Sequence, residues 1–167
     1  MKLILMRHAK SSWDDPFLAD HDRPLNTRGQ RSAAVMGEWL RRNGHVPDRA
    51  VSSTSVRTCE TFERLEFGVP VRFTGALYHA VAEKMMDVLQ AEAHGTLLML
   101  GHNPGMAEFA ERLVQRAPAH DRFCDFPTCA TLVLELETPG WEAGRVLDFA
   151  IPREVPQHRN LNLRRNS

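Results

Sequence analysis

The apolar and polar positions of this chain fall into short runs that alternate between two periods. Residues 2–6 (Lys-Leu-Ile-Leu-Met) are continuously apolar after Lys2, as in a buried strand. Residues 8–26 are rich in Asp, Ser and Pro and read as a long loop, which in a compact domain usually has a function. From Asn26-Thr27 the spacing becomes helical, with Ala33, Ala34, Met36, Gly37 and Leu40 on one face and Asn43-Gly44 as a stop. A second short strand is expected at 49–52. Ser53, Thr54 or Ser55 can cap a helix over about 55–67. A third strand at 69–73 precedes a helix at 81–93, whose apolar positions are Val81, Met85, Val88 and Leu89. Residues 96–100 are again a buried strand. The turn Gly101-His102-Asn103-Pro104-Gly105 then opens a helix to about Gln115. Residues 117–129 look irregular. Residues 131–136 and 145–151 read as two late strands joined by a Pro139-Gly140 turn.

Alternating strands and helices predict an α/β fold: a single-domain three-layer sandwich, its sheet mostly parallel, with helices on both faces. The domain is expected over 1–155, with 156–167 a polar, basic tail. No repeat or linker divides the chain. In such sheets ligands bind beyond the carboxyl ends of the strands. Here the turns after Met6, Ser52 and Leu100 leave in that direction.

Each of these turns carries candidate chemistry. Arg7-His8 follows the first strand. An imidazole there can attack phosphorus while a guanidinium holds its oxygens, and Lys10, Ser11 and Ser12 can add donors. The same pair can also be a solvated strand end. Ser53-x-x-x-Arg57-x-x-x-Thr61 places an arginine near a helix N-terminus, where anions are attracted, although Arg57 can equally pair with Glu60. His102 can donate to a phosphoryl oxygen or serve as a helix-cap histidine. In Asp20-x-x-Arg23-Pro24-Leu25-Asn26-x-x-Gly29, Arg23 can reach the site, whereas Asp20 and Asn26 suit a loop-to-helix cap.

Composition narrows the classes. The 167 residues hold 21 Lys plus Arg and 21 Asp plus Glu, for a formal net charge of zero, which argues against a nucleic-acid binder. The three cysteines, Cys59, Cys124 and Cys129, form no disulfide framework and point to a reducing compartment. The absence of a signal-like segment or a membrane-length apolar run makes the cytoplasm the expected location. His21, His45, His79, His94, His120 and His158, with Cys124 and Cys129, lack metal-ligand spacing and read as surface or core residues. Trp13, Trp39 and Trp141 read as packing.

Taken together, Arg7-His8, Ser53…Arg57…Thr61 and Gly101-His102-Asn103-Pro104 resemble the signature of the histidine phosphatase (phosphoglycerate-mutase-like) superfamily. The likeness covers 1–115 well and the last strands loosely. The short chain and the run Arg23-Pro24-Leu25-Asn26-x-x-Gly29 are most similar to the SixA-like phosphohistidine phosphatases. Ala9 stands where many members have Gly. The resemblance implies a metal-independent phosphatase without a cofactor, forming a phosphohistidine on His8. Arg7, Arg57 and His102 would surround the phosphoryl oxygens, with Arg23, Ser11 and Ser12 as further contacts. The implied substrate is phosphohistidine in a protein. Two alternatives are a sugar or other small phosphomonoester, and a catalytically silent phospho-ligand module.

Relatives often supply an acidic proton donor from between the second and third motifs. Only Glu83 and Asp87 lie near that region, and both suit an exposed helix face. A missing acid favours P–N or other activated substrates, because poor leaving groups need a proton. His8 must be neutral to attack, while His102 gains from protonation beside a dianion. The two pKa values are therefore expected to diverge.

Overall fold

The computed structural model describes residues 1–92 and 94–157. Its elements are β1 (Lys2–Arg7), α1 (Thr27–Arg42), β2 (Arg49–Ser53), α2 (Val56–Leu65), β3 (Val71–Thr74), α3 (Ala82–Ala91), β4 (Thr96–Gly101), α4 (Gly105–Leu113), β5 (Thr131–Glu135) and β6 (Arg145–Ala150). Apart from Pro156 and Gln157, the expected tail lies outside the described residues.

The six strands form one mixed sheet in the order β3-β2-β4-β1-β5-β6. The β1–β4, β2–β4 and β2–β3 pairs are parallel. The late β5–β6 hairpin adds antiparallel to β1. The central parallel strands β1 and β4 are apolar over residues 3–6 and 97–100 because helices cover both faces. Leu3, Leu5, Leu97 and Met99 point to one side, where Met85 and Leu89 of α3 and Met106 and Phe109 of α4 meet them. Ile4, Met6, Leu98 and Leu100 point to the other, against Ala33, Met36 and Leu40 of α1 and Leu65 of α2. Three-layer packing follows from that alternation.

The stretch expected to be irregular, 117–129, forms no helix or strand, yet it buries Phe123 and Phe126. Both rings pack on Phe149 of β6. Two caps fall where the sequence places them. Asn26 accepts from Gly29 N–H at the start of α1, and Ser55 accepts from Thr58 N–H at the start of α2.

Register sets the functional edge. Arg7 lies opposite Gly101, and Ser52 lies opposite Leu100. The residues that follow, His8, Ser53 and His102, therefore leave three neighbouring strands at one level.

Candidate active site

His8 is held by its backbone on every side. Its N–H donates to the Gly101 carbonyl at 3.1 Å, and its carbonyl accepts from Cys129 N–H at 3.1 Å. The next amide, Ala9 N–H, donates to Thr61 Oγ1 at 3.0 Å, and that hydroxyl donates to the Arg57 carbonyl at 2.6 Å. Thr61 thus ties the first motif to the second. The His8 ring is 7% exposed. Its Nδ1 lies 2.7 Å from the Ala9 carbonyl, which can only accept. Nδ1 therefore carries the proton, and Nε2 keeps its lone pair. Burial pushes the His8 pKa down to about 3, and the charges of Arg57, Arg7 and Arg23 add to that effect.

Arg57 and His102 stand beside it. The His8 and His102 rings are 5.1 Å apart. Arg57 Nη2 donates to His102 Nδ1 at 3.3 Å, so His102 Nε2 carries the proton and donates to Ser53 Oγ at 2.8 Å. Burial lowers the His102 pKa to about 2, assisted by His8, Arg57 and His79 and opposed by Asp20. The expected divergence of the two imidazoles is therefore absent from the protein's own electrostatics. Both are pulled the same way, because burial disfavours the charged form of each ring and the Arg57 charge adds to it. Arg7 Nη1 donates to the Phe126 carbonyl at 3.2 Å, while its buried Nε has no partner among the described residues. Burial and the nearby Arg57 lower the Arg7 pKa.

The loop after β1 folds over this pocket. Arg23 is buried. Its Nε donates to the Ser12 carbonyl at 3.0 Å, its Nη1 to Asp20 Oδ1 at 3.1 Å and its Nη2 to the Ser11 hydroxyl. Trp13 is largely exposed, and its ring lies 3.3 Å from the Arg23 guanidinium carbon, a cation–π stack rather than core packing. Ser11 is buried in this cluster. Ser12 turns its hydroxyl to the Asp14 amide of its own loop, and Lys10 is exposed. Gly29 earns its place in the Arg23-to-Gly29 run by close approach, since a Cβ there would strike the Lys10 carbonyl.

Asp20, expected to cap a helix, instead lies at the centre of the rim. Its Oδ2 accepts from Arg57 Nη2 at 2.9 Å, Tyr78 Oη at 2.6 Å and His79 Nε2 at 2.9 Å. Partial burial pushes this carboxyl up, but the hydrogen bonds from Tyr78, His79 and Arg57 outweigh it and hold the group well below the usual range. Tyr78 and His79 also stack with His102, at centroid distances of 5.4 and 4.9 Å. His21 packs on Tyr78 and bonds to Thr54 Oγ1. The sequence carries one faint sign of this group: Tyr78 and His79 sit between the second and third motifs, the stretch from which relatives often supply an acidic group.

Other expected partners lie elsewhere. Glu60 accepts from Leu25 N–H at 2.6 Å and is not bonded to Arg57. Glu83 pairs with Arg112 at 2.5 Å, and Asp87 lies 3.9 Å from Lys84; all are on exposed helix surface. Neither carboxylate bonds Arg7, His8, Arg57 or His102. Among the described residues, no three His, Cys, Asp or Glu side chains could together hold a metal ion. None of the described helices is long and apolar enough to cross a membrane.

Residues 3–79 match the family described as the histidine phosphatase superfamily (branch 1). An uncharacterized protein of Mycobacterium leprae is 33% identical over 162 residues, covering 89% of this chain and 100% of its own length. A proposed phosphohistidine phosphatase SixA from Nakamurella multipartitia superposes with a TM-score of 0.76 at 28% identity, over 90% of this chain and 95% of its own. The protein histidine phosphatase SixA in complex with tungstate superposes with a TM-score of 0.79 at 21% identity, over 93% and 100%.

Proposed function

The chain belongs to the histidine phosphatase superfamily, in its SixA-like branch, and from that premise we propose that it dephosphorylates phosphohistidine in proteins through a phosphoryl-enzyme on His8, with no metal in the step. One observation carries the proposal. His8 donates Nδ1–H to the Ala9 carbonyl, which leaves a neutral Nε2 lone pair beside Arg57 and His102. A nucleophilic imidazole needs that tautomer and that charge state.

In this reading Nε2 attacks phosphorus in line, and the bond to the leaving group breaks opposite it. Arg7, Arg57 and His102 hold the equatorial oxygens, where charge is spread in the transition state. Guanidinium groups take the place a metal cation has in other phosphoryl-transfer sites. Water then cleaves the phosphohistidine.

A protein substrate is supported by the SixA likeness and by the mouth of the site. Trp13 stands exposed there on the Arg23 guanidinium, and an exposed aromatic ring at a site's mouth can meet a partner surface.

The test is hydrolysis of a phosphohistidine-bearing protein and of an aryl phosphate, in chelator, by the wild type and by His8→Ala. The proposal expects turnover of the phosphoprotein by the wild type alone. Turnover of the aryl phosphate only would place the substrate among small phosphomonoesters. Loss of activity on adding chelator would contradict the metal-free step.

A further inference from the structure

The inner pocket holds two imidazoles that are both kept neutral, and so neither is suited to carry a proton to a leaving group. A third imidazole lies at its rim in a different setting. His79 Nε2 is 2.9 Å from Asp20 Oδ2, and the His79 side chain is 49% exposed. Asp20 is ionised, so it can only accept, and Nε2 carries the donated proton. His79 Nδ1 makes no bond to any described residue and is left for exchange. The ring lies 4.9 Å from that of His102, which in turn lies 5.1 Å from that of His8.

The backbone fixes this placement. His79 has φ 48°, a left-handed conformation that residues with a side chain rarely adopt. The following Ala80 carbonyl packs where a Cβ of Gly105 would be, so the glycine that ends Gly101-His102-Asn103-Pro104-Gly105 lets the 78–80 segment press against the start of α4. The groups facing the His79 ring are Asp20, Tyr78, His102 and, through Asp20, Arg57.

We propose that His79, oriented by Asp20, is the general acid and base of this site. The inference rests on the phosphatase reading above. In the first step the His8 Nε2 lone pair forms the N–P bond. The bond from phosphorus to the leaving atom breaks with its electron pair, and His79 imidazolium transfers its Nδ1 proton to that atom. In the second step neutral His79 takes a proton from water as the water oxygen bonds phosphorus. The N–P bond then breaks with its pair returning to His8. Phosphate leaves, and His79 is again imidazolium. Histidine suits both steps because it changes charge near neutral pH. It also supplies the proton for which no acidic motif was found.

The experiment is a leaving-group series, from 2,4-dinitrophenyl through 4-nitrophenyl to phenyl phosphate, with the wild type and His79→Gln. Glutamine keeps a donor for Asp20 but carries no transferable proton. The expected result is a loss of about 100-fold or more on phenyl phosphate, the scale of general acid catalysis. The loss on the dinitrophenyl ester, whose leaving group needs no proton, should be about twofold or less. The alkaline limb of the phenyl phosphate pH profile should disappear in the variant. An equal loss across the series would make His79 a positioning residue and overturn the proposal, as would no loss at all. Label on His8 is followed in parallel with the dinitrophenyl ester. If the wild type acquires it, the phosphatase reading stands whatever His79 does. If the wild type acquires none, that reading falls and this proposal with it.

Discussion

The inner pocket and the rim of this site contain the same kinds of side chain but are built in different ways. His8, Ser53 and His102 leave three adjacent parallel strands whose register puts them side by side. The two imidazole rings among them are buried, and each has one tautomer imposed by a hydrogen bond. The rim is assembled across the chain: Asp20 meets Arg57, Tyr78 and His79, which are 37, 58 and 59 residues away. Its imidazole is half exposed and paired with a carboxylate. Burial among guanidinium groups yields a neutral imidazole fit for attack. Exposure beside a carboxylate yields one fit for proton traffic. One fold thus gives its histidines two different environments, each suited to the role proposed for it.

That contrast predicts a ladder of effects. His8→Ala, in the inner pocket, should leave no turnover above background. Arg57→Ala should lower kcat/KM by about 10²–10³-fold, the scale of one preorganised donor, and steady-state kinetics on a phosphohistidine substrate would show it. Unchanged kcat/KM would place Arg57 outside the transition-state contacts.

The pocket histidines should also make the fold acid-sensitive. Their folded pKa values lie near 3 and 2, below the ordinary value of 6.5. Below pH 6.5 the unfolded chain takes up protons that the folded chain refuses. Stability is therefore fully present above pH 6.5 and is lost as pH falls toward 3. Each group contributes about 1.4 kcal/mol per pH unit in that window. Urea unfolding at pH 7 and pH 5 would measure the slope, and His102→Gln should reduce it. Equal midpoints at the two pH values would show that the rings are not held neutral.

Two other changes at the rim should have smaller effects. Asp20→Asn removes a negative charge that competes with phosphate for Arg57 and Arg23. It should tighten inhibition by inorganic phosphate by about tenfold, near 1.4 kcal/mol, while lowering kcat. Weaker inhibition would mean that Asp20 chiefly orients the two arginines. Trp13→Ala removes an exposed cation–π stack on Arg23 and should raise KM by no more than about fivefold, in keeping with roughly 0.5–1 kcal/mol.

The same division explains what could be read in advance. The strand runs, the caps at Asn26 and Ser55, and the three turns at one edge are local patterns, and the fold follows from them. Arg7, His8, Arg57 and His102 were legible as a group because parallel register converts sequence position into spatial position. Asp20, Tyr78 and His79 were not, since no local spacing announces a contact between a loop and a segment some 60 residues later. Glu83 and Asp87 are carboxylates near the same stretch of sequence, but each pairs with an exposed arginine or lysine on the helix surface. Phe123 and Phe126 were hidden in the same way, as core residues inside a stretch with no periodicity.

The most direct test of the central claim is to trap the intermediate. The wild type and His8→Ala would be mixed with a radiolabelled phosphodonor, quenched in milliseconds, and the label mapped by its acid lability and base stability. The account predicts label on His8 Nε2 in the wild type and none in the variant. Stable label on another residue, or turnover in the wild type with no labelled protein at any time, would contradict it.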